Sequence, residues 1–117
     1  MRSLVVKVTA GEDAPERCMQ GLTVASVAAA AGATVSLWLT GESVWLVTPG
    51  RDLEIEHSPP SAALLAAVLA GGTVTVCTQC AARRGLTQKD FVPGVRISGA
   101  ASFVAEALED DAQALVY

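Results

Sequence analysis

The chain holds a single histidine, His57, and only 17% of its 117 residues are charged. One histidine excludes most hydrolase and metal chemistry. A zinc centre takes about four protein ligands, and beyond Cys77 and Cys80 only Cys18 and His57 remain, one in a helical pattern and the other in a proline-flanked loop. A Ser-His-Asp centre needs a GxSxG-like nucleophile turn, and none is present. Nor does a GxGxxG or GxxxxGK[ST] loop follow any strand, and the acids of Gly11-Glu12-Asp13 repel phosphate. No metal and no cofactor are therefore expected. Positive charge is scarce as well. The net charge of −4 leaves no clustered basic surface of the kind that releases counterions from nucleic acid, which excludes that partner.

Charge is missing altogether between Arg17 and Glu42 and between His57 and Arg83. Both gaps are long enough to span a bilayer. The first, however, contains Gly32 and the strand-like run Thr34 to Leu39, and the second contains Pro59-Pro60, Gly71-Gly72 and two cysteines. Each reads as a buried helix followed by a buried parallel strand, not as a membrane span. Lys7 interrupts the amino-terminal apolar run, so no signal peptide is read. The expectation is a cytoplasmic protein with reduced thiols.

What the chain does have is apolar residues, 51% of the total. That is enough for one core and too short a chain for two, so residues 1–117 are read as one domain. It is also rich for so small a protein, which points to apolar surface buried between subunits. Strand and helix patterns alternate without repeats. Strands are expected at Ser3 to Thr9, Thr34 to Leu39, Thr73 to Val76, Val95 to Ile97 and Ala114 to Val116. Helices are expected from an Asp13 cap to Ala31, in the segment after Thr40-Gly41-Glu42, at Ser61 to Ala70, at Gln79 to Arg84 and at Ala101 to Leu108. In the last of these, Phe103, Val104, Ala107 and Leu108 are expected to point inward. Thr87 and Asp90 form a capping-box pattern. Such alternation implies an α/β fold with a mostly parallel sheet and helices on both faces. Trp38, on the face that bears Thr34, Ser36 and Thr40, reads as core packing, or alternatively as an aromatic anchor or lid near the cysteines.

The strand ending at Cys77 runs directly into the Cys77-Thr78-Gln79-Cys80 pair and a short basic helix closed by Gly85. A cysteine at a strand's carboxyl end and a helix's amino end meets unpaired N–H groups that favour the thiolate. Cys77 is the leading candidate nucleophile. Cys80, three residues on, shares its face of the turn and is placed to attack a sulfur species on Cys77. Arg83 and Arg84 follow within two turns, either holding thiolate charge or serving as solvated helix-end cations. Cys18, midway along the first helix, reads as a buried apolar residue.

Four segments in this order resemble the small DsrE/DsrF-like proteins, which include Tus-type sulfur-relay subunits and YchN-like hexamers. They are the turn Gly11 to Arg17, Leu37-Trp38-Leu39-Thr40-Gly41, Cys77 to Cys80 with Arg83-Arg84-Gly85, and the closing Asp111 to Tyr117. The resemblance implies a flavodoxin-like sheet of order 2-1-3-4-5 with the cysteine at the topological switch point, and a homotrimer or homohexamer. It also implies a sulfur-carrier or sulfurtransferase function, with protein donors and acceptors of sulfur as partners. Cys77 occupies the family's sulfur-bearing position and Cys80 matches a second cysteine found in part of the family. Arg83, Arg84, Gly11, Thr40 and Gly41 are the implied substrate- or partner-binding residues. A CxxC redox protein and a non-catalytic docking subunit are the alternatives.

Overall fold

Short aliphatic runs broken by glycine and proline turns become strands here because helices cover them on both sides. The structure, a computed structural model, describes residues 2–117. In chain order the elements are β1 (Ser3–Val8), α1 (Pro15–Ala30), β2 (Thr34–Leu39), a 3-10 helix (Gly41–Val47), α2 (Ser61–Leu69), β3 (Thr73–Cys77), α3 (Thr78–Arg83), a 3-10 turn (Gln88–Asp90), β4 (Val95–Ser98), α4 (Ala100–Ala107) and β5 (Ala112–Val116). Pro15 sits in the first turn of α1, where its missing N–H would have no partner anyway. Asp13 does not cap that helix. Its Oδ1 accepts the Gly11 N–H at 2.8 Å, and Ala14 takes the cap position. The Thr87–Asp90 capping box forms as its sequence implies. The long loop is tied to the start of α2, where Asp52 Oδ1 accepts the Ala62 N–H at 2.7 Å and the Ser61 hydroxyl.

All four strand pairings are parallel, and the strand order is β4-β3-β2-β1-β5. The α/β class and the two-sided helical cover are as the alternation implies, but the order differs from 2-1-3-4-5. β1 lies between β2 and β5, and β3 lies between β2 and β4. The chain steps through β1, β2, β3 and β4 in one direction, then crosses back to lay β5 beside β1. Crossovers of one hand then leave α1 and α2 packed together on one face, and only the reversal sends α4 to the other. The switch in direction falls between β1 and β5, away from Cys77.

The two faces have different chemistry. Val6, Val8, Val35, Leu37, Leu39, Val74, Val76 and Val95 point toward α1 and α2, where Met19, Leu22, Leu64, Leu65 and Val68 complete the core. The alternate positions Lys7, Ser36, Trp38, Thr75 and Arg96 face α4. That surface is polar, which explains a correction to the reading of α4. Val104 and Leu108 are 49% and 77% exposed, not inward. Phe103 and Glu106 make the contact instead. The Phe103 ring meets Trp38 edge-on at 5.5 Å. Glu106 Oε1 accepts the Ser36 hydroxyl at 2.5 Å and the Trp38 indole N–H at 3.0 Å, and its Oε2 pairs with Arg96 at 2.5 Å. Partial burial would raise the Glu106 carboxyl, but these three donors hold it below the usual carboxylate range. Trp38 is thus a core residue of the α4 side, at 1% exposure.

Candidate functional site

Cys77 is the last residue of β3 and stands in the cap position of α3, with extended backbone. Strand alternation puts Val74 and Val76 under α1 and α2, and sends Thr75 and Cys77 to the α4 side at the carboxyl edge of the sheet. The side chain is partly exposed. Burial alone would raise its thiol. It is outweighed by the N–H groups of Cys80 and Gln79, by the Cys80 thiol and by the charge on Lys7, which together hold the Cys77 thiol below its ordinary value. The product is a reachable sulfur biased toward the thiolate.

Cys80 is buried, 8% exposed, and touches the functional neighbourhood on three sides. Its thiol is one of the groups that lower Cys77, its sulfur accepts the Gly41 N–H at 3.3 Å, and the Arg83 guanidinium lies 4.0 Å from that sulfur. Gly41 has to be glycine to make this contact, because its φ is +57° and an added Cβ would lie 2.7 Å from the Thr9 carbonyl oxygen. Gly11 is equally confined. A Cβ there would meet the Glu42 carbonyl oxygen at 2.5 Å, so the turns after β1 and β2 pack backbone to backbone.

Of the residues singled out in the sequence, the structure therefore brings Cys77, Cys80, Gly41 and Arg83 together. Arg84 is engaged elsewhere. Its guanidinium donates to Glu42 Oε2 at 2.8 and 3.1 Å and to the Cys80 carbonyl at 3.1 Å, tying α3 to the turn after β2. The Thr40 hydroxyl is buried and points to the Val8 carbonyl at 3.5 Å. Gly11 packs against Glu42, which in turn pairs with Arg84. Cys18 is fully buried in α1, and burial, with the charge of Asp13 adding to it, pushes its thiol up to about 12.

Lys7 was not singled out by sequence reasoning. The available cue was a lysine inside Leu4-Val5-Val6-Lys7-Val8, where period-two alternation must send it to the face opposite Val6 and Val8. Its ammonium rests 4.6 Å from the Phe103 ring centroid. Among the described residues, no group of three or more His, Cys, Asp or Glu side chains is placed to hold a metal ion. A cavity of about 290 Å³ lined by Ser36, Thr73, Arg96 and Glu106 lies at the amino ends of the strands, the opposite edge from Cys77.

With this geometry in place, a sequence model of the DsrE/DsrF-like family matches residues 2–114. The chain belongs to the DsrE/DsrF-like family. Solved structures share the fold of this family member. The ychN protein from E. coli superposes with a TM-score of 0.84 at 18% identity, covering 100% of both chains. MTH1491 from Methanobacterium thermoautotrophicum gives 0.77 at 10% identity, again over 100% of both chains. BT1422 from Bacteroides thetaiotaomicron gives 0.67 at 17%, covering 99% of this chain and 95% of that one. No curated protein matches the chain in sequence. Among the described residues of this DsrE/DsrF-like chain, no helix is long and apolar enough to cross a membrane.

Proposed function

We propose that this DsrE/DsrF-like chain is a sulfur-relay subunit in which Cys77 carries a persulfide. The single observation that supports the reading is the environment of Cys77, a partly exposed thiol held below its ordinary value by two backbone N–H groups, a neighbouring thiol and a lysine. The Cys77 thiolate attacks the outer sulfur of a donor persulfide. A new S–S bond forms at Cys77, the donor's S–S bond breaks, and the donor sulfur leaves as a thiolate. An acceptor thiolate then attacks the outer sulfur on Cys77 and the Cys77 thiolate leaves. No net oxidation occurs in either step. Gly41 and Arg83 fix Cys80 beside this centre, and Arg84, Gly11 and Thr40 hold the turns around it.

Protein donors and acceptors in a reducing, cytoplasmic setting are the partners this chemistry calls for. Assembly into a homotrimer or homohexamer is part of the same proposal. It is supported by the apolar composition and by exposed Val104 on α4, Leu108 just after it, and Leu115 and Val116 on the edge strand β5. Light scattering at micromolar concentration tests it, and a monomer would contradict it.

One observation favours a second reading, a CxxC redox protein. Cys80 lies one turn from Cys77 at the start of α3 and its thiol helps lower the Cys77 thiol, so its thiolate is positioned to attack the inner sulfur of a Cys77 persulfide. That step releases hydrosulfide and leaves a Cys77–Cys80 disulfide, the persulfide sulfur being reduced as the two thiols are oxidised. Exposure to a persulfide donor followed by intact-mass analysis separates the readings. A stable adduct of one sulfur supports relay. Hydrosulfide release with loss of two hydrogens supports redox, and neither product supports a docking subunit without sulfur chemistry.

A further inference from the structure

Two cations stand on the α4 side of the sheet, and they are used differently. Arg96 in β4 is committed, with Nη2 on Glu106 at 2.5 Å and Nε donating to the Thr75 hydroxyl at 2.5 Å. Lys7 in β1 is partly buried and, among the described residues, has no carboxylate within ion-pair distance. A lysine in an inner strand, with its stem against an aromatic ring and no counter-anion, is an unfavourable placement unless an anion arrives from elsewhere.

The register says where that anion is. Lys7 pairs with Trp38 and Trp38 pairs with Thr75, so Lys7 shares a cross-strand row with Thr75 and lies one row below Cys77 on the same face. With strands about 4.8 Å apart and a rise of about 3.3 Å per residue, the two Cα atoms are separated by about 12 Å, a gap that the lysine's four-carbon stem shortens. The other charged or titratable groups near Cys77 are already engaged. Cys80 on α3 accepts the Gly41 N–H and has Arg83 at its sulfur, Arg84 is paired with Glu42, and Arg96 with Glu106. Ser36 and Trp38, the β2 residues facing α4, carry no charge.

We propose that Lys7 is a positioning residue for Cys77: its ammonium is the counter-cation of the Cys77 thiolate and, after loading, of the anionic outer sulfur of the persulfide, which it keeps on the α4 side. This inference rests on the relay reading for its second half only. The influence of Lys7 on the Cys77 thiol agrees with the geometry. Phe103 holds the ammonium in place without neutralising it, which a carboxylate at that position would do. The sulfur species served is accordingly an anion, a deprotonated persulfide.

The test is the pH profile of Cys77 alkylation in the full chain carrying Cys80→Ser, so that one reachable thiol reports. Lys7→Met and Lys7→Gln remove the charge, and Lys7→Arg retains it. The expected result is a midpoint displaced to higher pH in the Met and Gln variants, with alkylation near pH 7 slowed by about threefold or more, and a profile for Arg close to the parent's. Using two neutral replacements keeps the test open if one of them fails to fold. An unchanged midpoint in the folded neutral variants, or an arginine variant as slow as they are, would overturn the assignment. Failure of the parent chain to take up sulfur from a persulfide donor would overturn the relay reading, while the alkylation profile still decides the role of Lys7 independently.

Discussion

The Cys80 sulfur accepts the N–H of Gly41 at 3.3 Å, and the Cys80 thiol helps hold its neighbour Cys77 below its ordinary value. Cys80 is thus held in place three residues from Cys77. The arrangement stabilises negative charge on Cys77, and it also keeps a potential reductant within reach of any persulfide formed there.

Replacing Cys80 should therefore change the fate of bound sulfur more than its uptake. Cys80→Ser is expected to lengthen the lifetime of a Cys77 persulfide by about tenfold or more, since an intramolecular thiol at high effective concentration is removed. Cys77→Ser should abolish loading. Cold cyanolysis of the loaded proteins over time reads both, and equal lifetimes in wild type and Cys80→Ser would mean that Cys80 takes no part in release.

The three thiols should separate by pH. Cys77, held below its ordinary value, should alkylate first near neutrality, while Cys18, fully buried and pushed up to about 12, should stay silent in the folded chain. The Cys18 shift also has a stability consequence. A folded-state value raised above the unfolded value favours the folded state below the unfolded value of about 9, and that advantage is lost as pH rises toward 12. Cys18→Ala should flatten this alkaline loss in urea titrations, and an unchanged alkaline limb would count against it.

Gly41→Ala should destabilise the chain by about 1–3 kcal/mol, because alanine at φ +57° is strained and its methyl meets the Thr9 carbonyl. Movement of the Gly41 N–H should also expose Cys80. Chemical denaturation together with Cys80 alkylation tests it, and a silent substitution in both would contradict the contact.

Glu106→Gln weakens three charge-assisted contacts that anchor α4, with an expected loss of about 1–2 kcal/mol at neutral pH. The sign with pH follows from the lowered carboxyl. Its stabilisation is present above the unfolded carboxyl value and disappears as pH falls through the depressed folded value. The gap between wild type and variant should close in acid. A constant gap down to the acid transition would rule out the ionised carboxylate as the anchor.

Much of this was legible in the sequence. The alternation of strands and helices, the burial of Cys18, the capping box at Thr87 and the position of Cys77 at a strand end all follow from local patterns, and the structure places them so. Strand order was not legible, because β1, β2 and β3 are all apolar toward α1 and α2, and nothing in period-two alternation says which neighbours pair. The inward face of α4 was misread for a related reason. Hydrophobic patterning favoured Val104 and Leu108, but the sheet surface beneath carries Lys7, Ser36 and Arg96, which call for Glu106. Lys7 itself looked like a mere interruption of an apolar run until the register put it one row from Cys77.

The most direct test of the central proposal is site-resolved mass spectrometry of the wild-type protein after brief exposure to a persulfide donor and removal of excess donor. A relay subunit is expected to show one added sulfur on Cys77, none on Cys18, and none after Cys77→Ser. Sulfur on Cys80 in preference to Cys77, or no added sulfur and no hydrosulfide release under any donor, would contradict it.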